Sequence, residues 1–247
     1  MIIGKLRRGR IIVDDASDAS TLRNKGYIGK NIGESLSLDI ATSVDLVRKR
    51  KMEVVKGRNP MSLDQVEEAM SPEEKNMAIA YHFLRAKGMK PAIRNGRMSA
   101  SGRMVVVFQE DEMVHFNESR SRQLLIAIVD SEGSCLVYSV RRLGMGEREK
   151  GRGKVMGSKP GSVYLSRLLK DRGMNVASGL KFGADFRIYE GKSSHAKYLM
   201  NVGTESLARD IVGRVRIAQS VRKSFVQAVF DKERNVFTFL EIRWIRL

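Results

Sequence analysis

The chain has 247 residues, one cysteine, and 45 Lys plus Arg against 28 Asp plus Glu, a formal net charge of +17. Such a surplus points to a polyanionic partner, nucleic acid first, with an anionic membrane surface or plain solubility as the other readings. A lone Cys135 excludes an intramolecular disulfide and a Cys-based zinc cage, and no run approaches the ~18 apolar residues of a bilayer span.

The start MIIGKLRRGR is basic but lacks the apolar core and small-residue cleavage site of a signal peptide, so a cytoplasmic protein with no membrane association is expected. Residues 1–70 read as a small amino-terminal α/β domain. Ile40, Val44 and Val47 recur at helical spacing ahead of the basic run Arg48-Lys49-Arg50-Lys51. Met52-Glu53-Val54-Val55 predicts a strand, with Gly57, Asn59 and Pro60 turning the chain. Ser62 with Gln65 is a capping-box start for a short helix over Leu63, Val66 and Met70. Ser71-Pro72-Glu73-Glu74 repeats the device, with proline at the first helical position. The helix it opens should pass through Met77, Tyr81 and Leu84 and stop at Gly88.

From there the sequence copies itself. Residues 79–89 match residues 164–174 at an offset of 85 (Gly88 to Gly173), and residues 122–130 match 223–231 at an offset of 101 (Asp130 to Asp231). Both copies continue through a turn into an apolar strand, Cys135-Leu-Val-Tyr-Ser-Val140 in one and Val236-Phe-Thr-Phe-Leu-Glu-Ile242 in the other. Helix, extended segments and a closing hairpin give each copy an α/β layout. The second copy carries 16 extra residues, the difference of the two offsets, between its opening helix and closing hairpin, and Tyr189 and His195 fall in that expanded interval, with Lys223 at its far boundary. The position matching Lys223 in the first copy is Arg122. One catalytic and one structural module are therefore expected. The boundaries are 71–143 for the degenerate nuclease-like repeat, 144–157 for a linker and 158–247 for the catalytic domain. Gly144–Lys154 is glycine-rich and charged, and no strand-to-helix P-loop with Gly-Lys-Ser/Thr is present, so it reads as a flexible linker in preference to a phosphate loop.

The blocks Leu-Lys-Phe-Gly-Ala-Asp-Phe-Arg-Ile-Tyr (180–189) and Val-Arg-Ile-Ala-Gln-Ser-Val-Arg-Lys (215–223), with Ser194-His195 between them, resemble the catalytic core of the archaeal tRNA-splicing endonuclease family. Asn24-Lys-Gly-Tyr-Ile-Gly-Lys30 is similar to a motif of that family's amino-terminal domain. A degenerate copy ahead of an active one resembles the homodimeric class. The resemblance implies a Tyr189, His195 and Lys223 triad acting on precursor tRNA at a bulge–helix–bulge, with no metal or other cofactor. It implies Arg216 as a base-gripping arginine, with Arg243 as a substitute for a second. It also implies Asp130 and Glu132, on the turn of the first closing hairpin, as assembly contacts in a homodimer. The terminal strand Phe237–Ile245 is apolar enough that burial against a second subunit is expected.

The residue types fit the chemistry independently. Cutting RNA with its own 2′-hydroxyl needs a base, an acid for the leaving 5′-oxygen and a cation for the phosphorane. Imidazole titrates near ~6.5 and suits the acid role, given to His195; a phenol, near ~10, needs neighbouring cations to serve as base, and Arg187, Lys192 and Lys223 are the candidates. Lys223 would carry the charge stabilisation. His82, His115 and His195 are scattered and carboxylates such as Asp185 and Glu190 are few near the core blocks, so a metal site is not expected; His82 and His115 read as structural. A non-catalytic RNA-binding subunit and a metal-dependent DNA endonuclease of related architecture remain the rival readings.

Overall fold

The computed structural model describes residues 1–27, 29–116, 123–145, 160–191, 193–231 and 236–245. Arg122, Lys192 and the linker from residue 146 onward lie outside the described residues. The chain is mixed α/β, as its patterning predicts, and divides into two compact units, residues 1–109 with 127–136 and residues 110–126 with 137–246.

The first unit opens with β1 (Ile2–Arg7), β2 (Arg10–Val13), α1 (Ala16–Asn24), β3 (Lys30–Ile32), β4 (Ser35–Asp39), α2 (Ile40–Arg48), β5 (Met52–Lys56), β6 (Asn59–Met61), α3 (Leu63–Glu68) and α4 (Pro72–Ala86). Six strands form one sheet in the order β3-β4-β2-β1-β5-β6, antiparallel except for the parallel pair β1 and β5. That pair needs a crossover, which the intervening strands and helices supply. Ile40 and Val44 are buried and Val47 half-buried, which is the apolar stripe the spacing predicts. Both capping boxes form, with Ser62 and Gln65 at α3 and Ser71 and Glu74 at α4 exchanging side-chain and backbone bonds. Helix α4 stops where Gly88 turns to φ +79° and the Met89 amide reaches back to the Leu84 carbonyl at 3.0 Å. One detail differs from the sequence-based expectation. Asn59 and Pro60 belong to a strand and not to the turn; Pro60 is tolerated because β6 is an edge strand, where a missing amide costs no ladder bond. Helix α4 packs on α2, and His82 reaches Asp45 at 2.7 Å. An antiparallel meander follows, β7 (Ala92–Arg94), β8 (Arg97–Ala100) and β9 (Arg103–Gln109).

Next come β10 (Met113–His115), β11 (Gln123–Val129), β12 (Cys135–Leu143), α5 (Pro160–Lys170), β13 (Met174–Ser178), a 3-10 turn at Leu180–Phe182, β14 (Phe186–Glu190), β15 (Tyr198–Val202), β16 (Glu205–Leu207), α6 (Ala208–Ser220), β17 (Ser224–Asp231) and β18 (Val236–Trp244). In the second unit β13, β14, β15, β17, β18 and β12 lie side by side in that order. All neighbours are antiparallel except β15 and β17, which are parallel and joined through α6. One face of this sheet carries a core of Leu165 and Leu169 from α5 with Ile188, Tyr198, Met200, Val226, Ala228, Phe237 and Phe239. Strands β10 and β16 form a separate antiparallel pair in which His115 faces Glu205 at 3.4 Å.

The expectation for the terminal strand is corrected here. β18 lies between β17 and β12 of its own chain, and Phe237, Phe239, Leu240 and Ile242 are buried there. Its apolar sequence reflects a central strand covered on both edges, so it gives no reason to invoke a second subunit. The repeat is visible as structure: α4 and α5 both end at a left-handed glycine, Gly88 and Gly173 (φ +74°), and the matched segments 123–129 and 224–231 are both strands.

Candidate active site

Tyr189 sits near the end of β14, where Ile188 pairs with Tyr198. Residues alternate faces along a strand, so Ile188 enters the α5 core while Arg187 and Tyr189 take the opposite face. The Arg187 guanidinium lies 6.0 Å from the centre of the Tyr189 ring, and its Nε donates to the Ser178 carbonyl at 2.7 Å. A cation is therefore held beside the phenol by the neighbouring strand β13.

A short connection leads from β14 to β15 and carries His195. The Ser193 amide donates to the Glu190 carbonyl at 3.3 Å, and the His195 amide donates to Ser193 Oγ at 3.2 Å. Ser193 Oγ donates in turn to the His195 carbonyl at 3.0 Å. The backbone at His195 is thus fixed by its own loop, while the residue is exposed.

Lys223 follows α6. Arg222 adopts a left-handed φ of +56°, its amide bonds to the Gln219 carbonyl at 3.0 Å, and the Lys223 amide bonds to the Ala218 carbonyl at 2.8 Å. This doubly bonded helix end, a Schellman motif, directs the chain into β17 with Lys223 as its last residue before the strand.

Lys197 joins these pieces. Its amide donates to the Ile188 carbonyl at 2.8 Å, and its carbonyl accepts from the Ser224 amide at 3.1 Å. The ends of β14 and α6 and the loop bearing His195 therefore meet at one end of the sheet. The parallel β15–β17 pairing and the antiparallel β14–β15 pairing bring Tyr189, His195 and Lys223 to this common edge.

Arg216 is exposed on α6, and its charge acts on Tyr138 of β12, whose phenol burial pushes up to about 12. Arg243 faces Ser139 across the β12–β18 pair and donates to Ser224 Oγ at 3.2 Å. It also pairs with Glu241 at 2.6 Å, so it is held by the protein and does not stand free. Glu241 is fully buried and binds Arg141 as well. Burial alone would raise its carboxyl, but bonds from Arg141, Ser224 and Arg243 outweigh that and hold it below its ordinary range. This buried cluster beside Lys223 escaped the sequence reasoning; the signal for it was a charged residue inside an apolar strand, Leu-Glu-Ile at 240–242. A second missed group is Glu190, which accepts from Lys197 Nζ at 2.7 Å and from the Tyr198 hydroxyl at 3.1 Å.

Much of the block 180–189 shapes backbone. A Cβ on Gly179 would lie 2.6 Å from the Ala184 carbonyl oxygen, Gly183 takes φ +64°, and Asp185 accepts from the Val202 amide at 2.8 Å. On the turn of the first hairpin, Asp130 Oδ1 accepts from the amides of Glu132 and Ser134 at 3.1 and 2.7 Å. Its carboxylate is spent on its own turn, leaving Glu132 as the outward charge. Among the described residues no three His, Cys, Asp or Glu side chains cluster as metal ligands, and no helix is long and apolar enough to cross a membrane.

The family model for the catalytic C-terminal domain of tRNA intron endonuclease matches residues 162–238, and that for its N-terminal domain matches residues 2–67. A tRNA-splicing endonuclease of Pyrococcus furiosus is 34% identical over 124 residues, which covers 49% of this chain and 68% of that protein. The chain belongs to the tRNA intron endonuclease family. Family members named tRNA-splicing endonuclease from Thermococcus gammatolerans and Thermococcus onnurineus are 42% and 44% identical over 82 residues, or 32% of this chain. Against these two the chain spans about half their length, 48% and 47%. Tyr189, His195, Arg216 and Lys223 fall inside the segment matched by the catalytic-domain model, whereas Arg141, Glu241 and Arg243 lie outside it.

Proposed function

We propose that this protein is an RNA endonuclease that cuts precursor tRNA at intron boundaries presented as a bulge–helix–bulge. The observation that carries the reading is the backbone junction at Lys197, which brings the strand end with Tyr189, the loop with His195 and the helix exit with Lys223 to one sheet edge. In this reading Tyr189, with Arg187 beside it, removes the proton from the ribose 2′-hydroxyl. The 2′-oxygen attacks the adjacent phosphorus, and Lys223 stabilises the extra negative charge of the phosphorane. His195 donates a proton to the departing 5′-oxygen, leaving a 2′,3′-cyclic phosphate and a 5′-hydroxyl. The protein's own side chains supply base, acid and counter-charge, so the reaction runs without metal. Unpaired bulge nucleotides can reach the in-line geometry that a stacked helix forbids, which makes RNA shape the recognition element. Arg216, exposed on α6, is the residue to stack on a bulge base. Two chains would pair through Glu132 of the acidic turn, giving two sites at a fixed separation for the two cuts that release an intron.

The test is incubation with a bulge–helix–bulge RNA in EDTA, followed by end-group analysis. Cyclic phosphate and 5′-hydroxyl ends are expected, and a single 2′-deoxy substitution at the cut position should abolish cleavage. Cleavage that needs a divalent metal and survives the deoxy substitution would favour a DNA-type nuclease.

A further inference from the structure

Two hairpins of the first unit share a pattern of facing arginines, and in the second of them no acid among the described residues offsets the pair. In Arg7-Arg8-Gly9-Arg10 and in Arg94-Asn95-Gly96-Arg97 the two central residues both take positive φ, 48° and 74° in one and 51° and 71° in the other. These are type I′ turns, the tight connection that matches strand twist. In each, the flanking arginines lie directly opposite one another, Arg7 against Arg10 and Arg94 against Arg97. Like charges set across from each other oppose strand pairing. Arg7 is partly offset by Asp14 at 3.8 Å and Arg10 by Asp39 at 3.8 Å. Arg94 and Arg97 make no ion pair among the described residues.

Arg10 from one hairpin and Arg94 and Asn95 from the other line the same open-sided cavity of about 480 Å³, together with Gly29, Lys30 and Ile93. That volume lies within the ~300–1,000 Å³ typical of small-ligand sites. Gly29 and Lys30 supply one wall, and shortly before them comes the stretch from Asn24 to Tyr27, which the proposed chemistry leaves without a task. It is anchored firmly: the Tyr27 hydroxyl donates to buried Asp45 at 3.0 Å, and Arg85 lies over the Tyr27 ring at 4.2 Å while donating to the Gly26 and Lys25 carbonyls. Gly29 is required for the close passage, since a Cβ there would sit 2.4 Å from the Ser37 carbonyl oxygen. Arg10 is oriented by Ser37, its Nε donating to the hydroxyl at 2.8 Å. Asp39 divides its carboxylate, with Oδ1 accepting the Ala41 amide at the start of α2 at 3.2 Å and Oδ2 facing the Arg10 guanidinium at 3.8 Å.

We infer that this cavity binds a phosphodiester of an RNA strand, with Arg10, Lys30 and Arg94 on the phosphate. Guanidinium forks match phosphate oxygens, and three cations around one concavity lined by rigid turns are preorganised for an anion. The site belongs to a different unit from Tyr189, His195 and Lys223, so its residues serve RNA binding and not the bond-breaking step. The inference rests on the RNA-cutting reading for its ligand, and the experiment separates the two.

The full chain and its Lys30→Ala/Arg94→Ala variant are titrated with a bulge–helix–bulge RNA carrying 2′-deoxy substitutions at both cut positions, across a series of salt concentrations. A Lys56→Ala/Arg58→Ala variant, with the same charge loss on the exposed β5–β6 turn, is the control. Affinity at low salt should fall about tenfold, and the slope of log affinity against log salt should shrink by about 0.7–0.9 for each phosphate that the variant leaves unneutralised, with the control unchanged. Thermal melts of both variants should match the parent, because Lys30 and Arg94 are exposed. An unchanged slope, or an equal change in the control, overturns the inference. Competition by millimolar AMP as effective as that of the RNA strand would assign the cavity to a free nucleotide and overturn it too. Absence of cleavage chemistry in the parent with the binding difference intact would sink the RNA-cutting reading alone.

Discussion

The Ser224 amide donates to the Lys197 carbonyl at 3.1 Å, which ties the residue after Lys223 to a residue two places beyond His195. This bond extends the parallel β15–β17 ladder, in which Tyr198 faces Ser224, one residue past the end of β15. It makes the position of Lys223 depend on the loop that carries His195.

His195 is exposed and its side chain has no hydrogen-bond partner among the described residues, so replacing it should leave the fold untouched. His195→Ala is expected to lower single-turnover cleavage of a bulge–helix–bulge RNA by ~10²–10⁴, the usual contribution of a positioned proton donor. Melting temperature and RNA affinity should be unchanged. Full activity in this variant would assign the protein to a non-catalytic role.

Arg222 holds a left-handed conformation at φ +56° to complete the end of α6. An L-residue with a side chain pays roughly 1–2 kcal/mol there, which glycine does not. Arg222→Gly should therefore stabilise the second unit by about 1 kcal/mol in urea unfolding. Arg222→Val should do the reverse and also slow cleavage, because the turn that delivers Lys223 is distorted. Equal activity of the two variants would disconnect the helix end from the chemistry.

Asp45 is buried, and it accepts from Tyr27 at 3.0 Å, from His82 at 2.7 Å and from Lys49 at 2.9 Å. Desolvation would raise its carboxyl, but the bonds from Lys49, His82 and Tyr27 prevail and hold it below its ordinary 3.8. A depressed carboxylate contributes stability that is fully present above the unfolded value, near 4, and is lost as pH falls through the folded value. Urea stability of the parent should therefore drop below about pH 4 more steeply than that of Asp45→Asn. At neutral pH the variant should be less stable by about 1.5–3 kcal/mol, the range for a hydrogen bond to a charged group. Parallel pH profiles for the two proteins would refute the assignment.

On the turn of the first hairpin the two acids should separate by role. Asp130→Ala removes the acceptor of the Glu132 and Ser134 amides and should destabilise the protein, as removal of a capping bond does, by ~0.5–2 kcal/mol. Glu132→Lys should leave stability unchanged and weaken self-association, read by sedimentation velocity across a concentration series. A sedimentation profile identical to the parent's would remove Glu132 from the assembly contact.

Local signals in the sequence were sufficient wherever a residue acts on its own neighbours. The serines at 62 and 71 cap their helices, Gly88 ends α4, and the spacing of Ile40 and Val44 buries one helical face. These interactions close within about one helical turn, so chain order alone specifies them. The internal repeat and the blocks around Tyr189 and Lys223 were equally legible, and they point to the family without coordinates. The tertiary structure decided which distant segments meet. Parallel pairing of β15 with β17 through α6 brings the backbone at Tyr189, His195 and Lys223 to one end of the sheet, and strand pairing over that separation has no local signature. It also decided that β18 is enclosed by its own chain and that Glu241 is buried between two arginines. Two hairpins far apart in sequence aim arginines into one cavity for the same reason. Burial and charge pairing are properties of what the rest of the chain packs against a residue, and only the assembled fold fixes that environment.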